Sequence, residues 1–574
     1  MARCINSGLC KPRRFRLVVF GLICWLLVAS TAQPEEGPRN AAIASANPLA
    51  TDAGYKIFRE GGNAFDAAIA VAATLAVVEP YASGLGGGGF WLLRRASDGR
   101  ELLLDARETA PGRASAGMYL DAQGQVIAKA SLRGPKSAAI PGIPAALEHL
   151  AKHYGRLPLA VSLAPAIRYA KSGVRVDARY IAICQRFHGQ LTGEAQRVFL
   201  DYGSVPRQGF VLRQKALAAT LQAIASGGSK SFYQGRVARN MVAAVQAGGG
   251  IWSLADLKNY RVVEREPVKF VFQSLQITAA PLPSAAGLSL AQSFNILGRL
   301  PYAAGDQDAK AHFVVEALRR AYQDRARYMG DPDFVNVPVA RLLSKDYAAS
   351  RAASIDLYYA TPSVELEDES PMLNEGDDTT HFSIVDREGN RVAATLSINT
   401  PFGSGFVAGM SGVLLNNEMD DFSVAPGTAN VYRLQSYSGN EIAPGKRPLS
   451  SMSPTFVEDE RGILILGTPG GSRIISMILL AILDYADRPR VDLRQMLSAA
   501  RYHHQYLPDQ VEIEPQGFSE DWIAEMQARG YAVTGSARRW GNVQAVYIDK
   551  RTGLATAAGD PRGQIGSASR SLTQ

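Results

Sequence analysis

Thr379-Thr380-His381-Phe382-Ser383-Ile384-Val385 runs into Asp386-Arg387-Glu388-Gly389-Asn390 and then into Val392-Ala393-Ala394-Thr395-Leu396-Ser397-Ile398, and this stretch decides how the chain is read. Near residue 375 the texture changes from helical to alternating, with Phe382 and Ile384 facing one way. That spacing predicts a strand, a turn over 386–390 and a second strand. Thr379 and Thr380, both β-branched, suit a strand start. Further on, Ile463 to Leu466 reads as a buried strand, and Ser472 to Tyr485 has the continuous apolar character of a helix packed on a sheet. Strands and helices in this order predict an α/β (α+β) fold of layered sheets sandwiched by helices.

Upstream, Asn63 to Val78 is rich in Ala, Val and Ile, opens on an Asn cap and ends at Glu79-Pro80, which predicts a buried helix. Gly84-Leu85-Gly86-Gly87-Gly88-Gly89 precedes the strand-like Phe90-Trp91-Leu92-Leu93. A phosphate-cradling loop would follow a strand, carry Lys-Ser/Thr or open a helix, so close backbone packing is the preferred reading of the run. Leu102-Leu103-Leu104 is a short strand that delivers Asp105-Ala106-Arg107-Glu108 at its end. Ile143, Leu147 and Leu150 share one helical face, Phe313 to Met329 is a helix closed by Gly330, and the middle third reads as mostly helix.

The 574 residues, 47% hydrophobic and 20% charged, are globular in composition and show no repeat and no long low-complexity stretch. Arg3, Lys11, Arg13, Arg14 and Arg16 precede the uncharged run Leu17 to Ala29, and Ser30-Thr31-Ala32 supplies small residues for cleavage, the layout of a secretory signal peptide over 1–32. An uncleaved anchor is the alternative, but the run is short for a bilayer and no stable anchor is expected. Those five basic residues lower the formal charge from +8 to +3 when removed. No block of five Lys/Arg remains, which argues against nucleic-acid or membrane-surface partners. Cys4, Cys10 and Cys24 lie in the same segment. Cys184 is then alone, and Tyr180-Ile181-Ala182-Ile183 beside it predicts an inert buried thiol.

A Thr hydroxyl becomes a useful nucleophile when a base stands beside it, and a Thr that begins a chain has its own α-amine, with a pKa of about 8, for that purpose. Spacing alone does not show a cut before Thr379. The sequence, however, resembles γ-glutamyltransferases (γ-glutamyltranspeptidases) of the N-terminal nucleophile hydrolase group along nearly all of its mature length. Glu60-Gly61-Gly62-Asn63-Ala64, the Gly84 to Phe90 run, Asp105-Ala106-Arg107-Glu108, Gly330-Asp331-Pro332-Asp333-Phe334 and Thr379-Thr380-His381-Phe382-Ser383 carry it. So do Asn416 to Phe422, Arg447 to Pro454, Pro469-Gly470-Gly471-Ser472-Arg473 and Asp560-Pro561-Arg562.

The resemblance implies a four-layer αββα sandwich. It also implies self-cleavage between Asp378 and Thr379 into a large subunit, 33–378, and a small one, 379–574, that stay together as a heterodimer. Thr379 would then attack the γ-carbonyl of glutathione or another γ-glutamyl compound and pass the group to water or to an amino-acid or dipeptide acceptor. Such a group ends in a carboxylate and an ammonium, so its site must offer both signs. Arg107 is the bidentate candidate for the carboxylate, with the Ser450 and Ser451 hydroxyls adding donors. Asn399, Glu418 and Asp421 match the ammonium-binding positions. Gly470 and Gly471, between a strand and a helix, can aim two N–H groups at a developing oxyanion. Taken alone, the same residues read as a surface ion-pair partner, a turn, a capped loop and a tight strand-to-helix turn.

Three departures stand out: Ser397 where relatives usually carry Thr, Glu418 where some carry Gln, and Pro283-Ser284-Ala285-Ala286-Gly287 where Ser-Ser-Gly-Gly is common. The last is expected to be distant from the site. Tyr432, in the loop Pro426 to Pro444, occupies the position of the family's lid tyrosine. His381, His503 and His504 match no ligand spacing and are expected to be structural, with no metal and no cofactor. Export across the inner membrane, with a Gram-negative periplasm favoured over the medium, is the expected destination. Two other functions stay open: a glutaryl or cephalosporin acylase of the same fold, and an uncleaved secreted binding protein.

Overall fold

A computed structural model describes residues 37–366, 379–425, 428–435 and 437–563. The expected export signal and Asp378 lie outside the described residues. Those that are described fall within one compact unit, 36–574.

The decisive segment folds as β7 (Thr380–Val385) and β8 (Arg391–Ser397), antiparallel, with Leu396 opposite Thr380. Alternation sorts their side chains between two faces. Phe382, Ile384, Val392, Ala394 and Leu396 join one core, with Trp91, Leu93, Leu102 and Leu104, while Val385 and Ala393 join the other. The remaining strands of this sheet are β1 (Ala42–Ser45), β2 (Gly88–Arg94), β3 (Glu101–Asp105) and β4 (Val263–Arg265), in the order β1-β7-β8-β2-β3-β4. A second antiparallel sheet holds β5 (Val268–Phe272), β6 (Leu275–Ala279), β9 (Thr455–Glu458), β10 (Gly462–Gly467), β11 (Gln544–Asp549) and β12 (Ala555–Gly559). Its order is β12-β11-β10-β9-β6-β5. The middle third is therefore less helical than its sequence suggests, because residues 263–279 supply three short strands.

Helices cover the outer faces. On the first sheet lie α1 (Pro48–Arg59) and α2 (Ala64–Val78), the latter begun by an Asn63–Asp66 capping box and buried all round, as its Ala/Val/Ile composition requires. On the second lie α3 (Ala286–Leu297), α4 (Gln307–Tyr328) and α5 (Ile474–Asp487). Between the sheets, β7 and β8 pack on β10, giving helix, sheet, sheet, helix. His381 sits in that middle layer, its ring against Gly467, with Nδ1 2.8 Å from Thr395 Oγ1 and Nε2 3.2 Å from Ser383 Oγ. Among the described residues no helix is long and apolar enough to cross a membrane.

The glycine run is a packing device. A Cβ on Gly86 would overlap the Leu414 carbonyl, and one on Gly87 the Ser397 carbonyl. Gly84 faces open space. Gly87→Ala should therefore cost about 3 kcal/mol and lower Tm by several degrees, whereas Gly84→Ala stays close to the parent. Equal melting of the two variants would contradict this packing.

Burial holds His381 down to about 3, and His503 likewise to about 3 with Arg473 adding to the effect. Both native values lie below the ordinary value of about 6.5, so the unfolded chain binds the extra protons. Their stabilisation is present above pH of about 6.5 and is lost as pH falls toward about 3. Thermal melting across that window should show Tm dropping as soon as pH passes below 6.5, and a flat profile down to pH 5 would contradict neutral burial.

Candidate active site

Thr379 immediately precedes β7 and Ser397 ends β8, and the pairing of the two strands brings Thr379 Oγ1 to 3.4 Å from Ser397 Oγ. Ser397 Oγ accepts from the Asn399 amide at 2.7 Å, which orients its own proton away from that amide. Asn399 adopts φ of 74°, a left-handed turn that Asn tolerates, and its Nδ2 donates to the Asn417 carbonyl at 3.0 Å, leaving Oδ1 to accept. The strand ends thus fix a hydroxyl pair and an amide oxygen at the rim of one pocket.

Arg107 extends that pocket from the end of β3. It is no surface residue, being 1% exposed. Its Nε donates to the Pro448 carbonyl at 3.1 Å, Nη1 pairs with Glu418 at 2.9 Å and Nη2 pairs with Asp421. Burial opposes the Arg107 charge, yet Glu418, Asp421 and Glu108 together hold the guanidinium above its ordinary range. Burial drives Glu418 well above the ordinary carboxylate value despite Arg107 and the Ser397 hydroxyl, and drives Glu108 up to about 7 against Arg107. A cation delivered beside Glu418 would restore its charge.

Asn416 and Asn417 are structural. Asn416 Oδ1 receives the Ala139 and Glu418 amides, both at 3.0 Å, and Asn417 Nδ2 donates to Thr400 Oγ1 at 2.7 Å. Asp420 likewise anchors the loop through Ser131 Oγ at 2.6 Å and the Val431 amide at 2.9 Å.

Ser450 and Ser451 form the opposite wall. The Ser450 hydroxyl accepts from the Met452 amide at 3.1 Å, while Ser451 Oγ, buried, has no hydrogen-bond partner among the described residues. Here one expectation is corrected. Residues 283–287 are not distant: the Ser450 amide donates to the Pro283 carbonyl at 2.8 Å, and the Ala285 amide to the Ser450 carbonyl at 2.9 Å. Ser284 Oγ also donates to the Met452 carbonyl at 2.7 Å. Because the contact joins segments more than 160 residues apart in number, spacing could not reveal it.

Tyr432 covers the pocket as a buried side chain. Its hydroxyl donates to the Asn399 carbonyl at 2.7 Å, and its ring lies over Gly471 so closely that a Cβ there would overlap it. Gly470 and Gly471 have φ of 142° and 55°, backbone that L side chains resist. Among the described residues neither glycine amide donates to another protein group. Gly471 lines the Thr379 pocket; Gly470 lines an adjoining cavity of about 200 Å³ that carries Arg179, Arg186, Arg538, Arg539 and Arg562.

Thr379, Ser397, Asn399, Arg107, Glu418, Asp421, Tyr432, Ser450, Ser451 and Gly471 therefore share one pocket, and Asp378 lies outside the described residues. The sequence reading missed its floor, made by Arg325 of α4 with Leu434, Leu449, Met452 and Ile474. The helix buries several charges, Glu316, Arg319, Arg320, Asp324 and Arg325, so its pattern alone does not single out Arg325.

The gamma-glutamyltranspeptidase family signature matches residues 50–569. The chain belongs to this family. It is 39% identical over 527 residues to the glutathione hydrolase proenzyme of Escherichia coli strain K12, covering 91% of this chain and 90% of that one. It is 36% identical to the acylase ACY 1 proenzyme of Pseudomonas sp. strain V22, over 92% and 93% of the two chains. In three dimensions it matches the crystal structure of cephalosporin acylase from Bacillus halodurans with a TM-score of 0.81 at 27% identity, covering 99% of each chain. The family's fold is thus the sandwich described above.

The other two histidines considered for metal spacing, His503 and His504, are held by protein groups. His503 Nδ1 lies 2.8 Å from Ser476 Oγ and Nε2 2.8 Å from Gln505 Oε1, while His504 Nε2 lies 3.2 Å from Asp509. Burial pushes the Cys184 thiol up to about 12, in keeping with an inert role. Removing one partner of the buried Arg107 pairs should be costly: Asp421→Ala is expected to destabilise the fold by on the order of 3 kcal/mol, read by thermal or denaturant melting. Unchanged stability would show that the ion pair carries no structural weight.

Proposed function

We propose that the chain is a self-processing glutathione hydrolase and γ-glutamyltransferase. What carries the reading is one pocket that sets the Thr379 hydroxyl beside groups of both charges, as a γ-glutamyl group requires. Thr379 Oγ1 attacks the Asp378 carbonyl, the C–N bond breaks, and water opens the resulting ester to leave Thr379 with a free α-amine. The large and small subunits, 33–378 and 379–574, remain associated because each contributes strands to both sheets.

In the mature enzyme that amine takes the Thr379 hydroxyl proton as Oγ1 attacks the γ-carbonyl of the donor. Ser397 orients the hydroxyl. The Gly470 and Gly471 amides receive the oxyanion, each worth about 3 kcal/mol in the transition state. The leaving amine, cysteinylglycine for glutathione, departs with the proton. Water or an amino-acid or dipeptide amine then attacks the γ-glutamyl ester and releases Thr379. The α-carboxylate is met by Arg107, Ser450 and Ser451, and the α-ammonium by Asn399, Glu418 and Asp421. The signal-like first 32 residues support export, with the periplasm the favoured compartment.

The acylase relatives keep a second reading in view. Glu418 and Asp421 do not separate the two by themselves, because Arg107 already pairs with both. Purified protein offered γ-glutamyl-p-nitroanilide and glutaryl-p-nitroanilide should favour the first by at least about 100-fold, the value of one well-paired charged group. Preference for the glutaryl amide overturns the proposal. Thr379→Ala should run as one uncut, inactive chain on a denaturing gel, while the parent gives two bands, the smaller beginning at Thr379. A parent that stays uncut would point to the binding protein instead.

A further inference from the structure

Arg325 lies on α4 and is 2% exposed, yet it lines the pocket that holds Thr379. Among the described residues its buried Nε and Nη1 have no hydrogen-bond partner, and no carboxylate forms an ion pair with it. The neighbouring arginines of the same helix are treated differently. Arg319 pairs with Glu316 and Asp509, and Arg320 with Glu316 while donating to Ser354. A buried guanidinium left bare is costly, and nothing in the packing of α4 demands it. The floor around it is Leu434, Leu449, Met452 and Ile474, which offer no acceptor side chains. Burial pulls Arg325 down to about 10, with Arg107 adding to the effect and Tyr322 and Asp421 opposing it.

In the same pocket Ser451 Oγ is also buried and, among the described residues, unpartnered. Arg107, the expected carboxylate ligand, is already engaged by Pro448, Glu418 and Asp421. The donors left bare are thus those of Arg325 and Ser451; Nε and Nη1 lie on different edges of the guanidinium, so each offers its own charge-assisted hydrogen bond to an anion rather than a two-pronged fork.

We propose that Arg325 is a second guanidinium for the α-carboxylate of the γ-glutamyl donor, gripping it together with Arg107 and Ser451. The inference rests on the γ-glutamyl reading and deepens it. Charge balance supports it. A bound γ-glutamyl group brings one carboxylate and one ammonium to Arg107, Arg325, Glu418 and Asp421, which makes three positive and three negative groups. Without Arg325 the occupied pocket holds a net negative charge. With it, the ligand carboxylate satisfies the bare N–H groups of α4, and the pocket selects donors that carry that carboxylate.

The test compares γ-glutamyl-p-nitroanilide with 4-aminobutyryl-p-nitroanilide, which differs only in lacking the α-carboxylate, on the processed parent, Arg325→Met and Arg325→Lys. Arg325→Met should still split into two chains. Its kcat/KM on the γ-glutamyl anilide should fall about 30-fold, mainly through KM, as loss of one charge-assisted hydrogen bond implies. On the decarboxylated anilide it should change less than about threefold, and Arg325→Lys should recover part of the discrimination. Melting of the ligand-free Met variant should be unchanged or higher, because a bare buried charge has been removed, while the Tm rise produced by L-glutamate should shrink. Equal losses on both anilides, or a ligand-free Tm that falls by several degrees, overturn the proposal and make Arg325 a structural residue. If the Met variant does not accumulate, Arg325→Lys decides: reduced discrimination supports the proposal and parental discrimination overturns it. Failure of the parent to turn over the γ-glutamyl anilide sinks the underlying reading instead.

Discussion

Everything at the site hangs on the pairing of β7 with β8. Leu396 opposite Thr380 places Ser397 beside Thr379, and Ser397 lies opposite Gly88 on β2. The carbonyl of Ser397 in turn packs where any side chain at Gly87 would intrude. Shifting the register by one residue would send Phe382 and Ile384 into the layer between the sheets and turn His381 and Ser383 toward the helices. The hydroxyl pair and the interior of the sandwich are therefore specified together.

The same geometry supports the proposal that a precursor cut before Thr379 stays one body. Strands from both sides of residue 379 pair within each sheet, β1 with β7 and β8 with β2 in the first and β9 with β6 in the second, so a cut there leaves the hydrogen-bonded ladders intact. Electrostatics adds a second layer. Arg107 is clamped between Glu418 and Asp421, Tyr432 closes the top, and Arg325 waits at the floor. Such a cluster is costly to bury without a ligand of both signs, and it ties substrate charge to the stability of the pocket.

Much of this was legible in the residues. The alternation over 379–398 gave the strand pair, the alanine-rich run at 63–78 the buried helix, and the glycine run its role in close packing. Arg107 at a strand end, Gly470 and Gly471 between a strand and a helix, and the lid position of Tyr432 came from motif resemblance. Local pattern could not supply contacts between distant segments. It set residues 283–287 apart from a serine wall they support through backbone hydrogen bonds, and it passed over Arg325, whose helical phase alone does not say that it floors a pocket. The short strands of 263–279 were hidden among helices because three to five residues carry little periodic signal.

The central claim is that Thr379 Oγ1 carries the γ-glutamyl group. The most direct measurement is peptide mapping by mass spectrometry of enzyme acid-quenched during turnover of a γ-glutamyl donor. A γ-glutamyl ester on the peptide that begins with Thr379 is the predicted result. The same adduct on another residue, or steady turnover with no adduct on that peptide, would contradict the account.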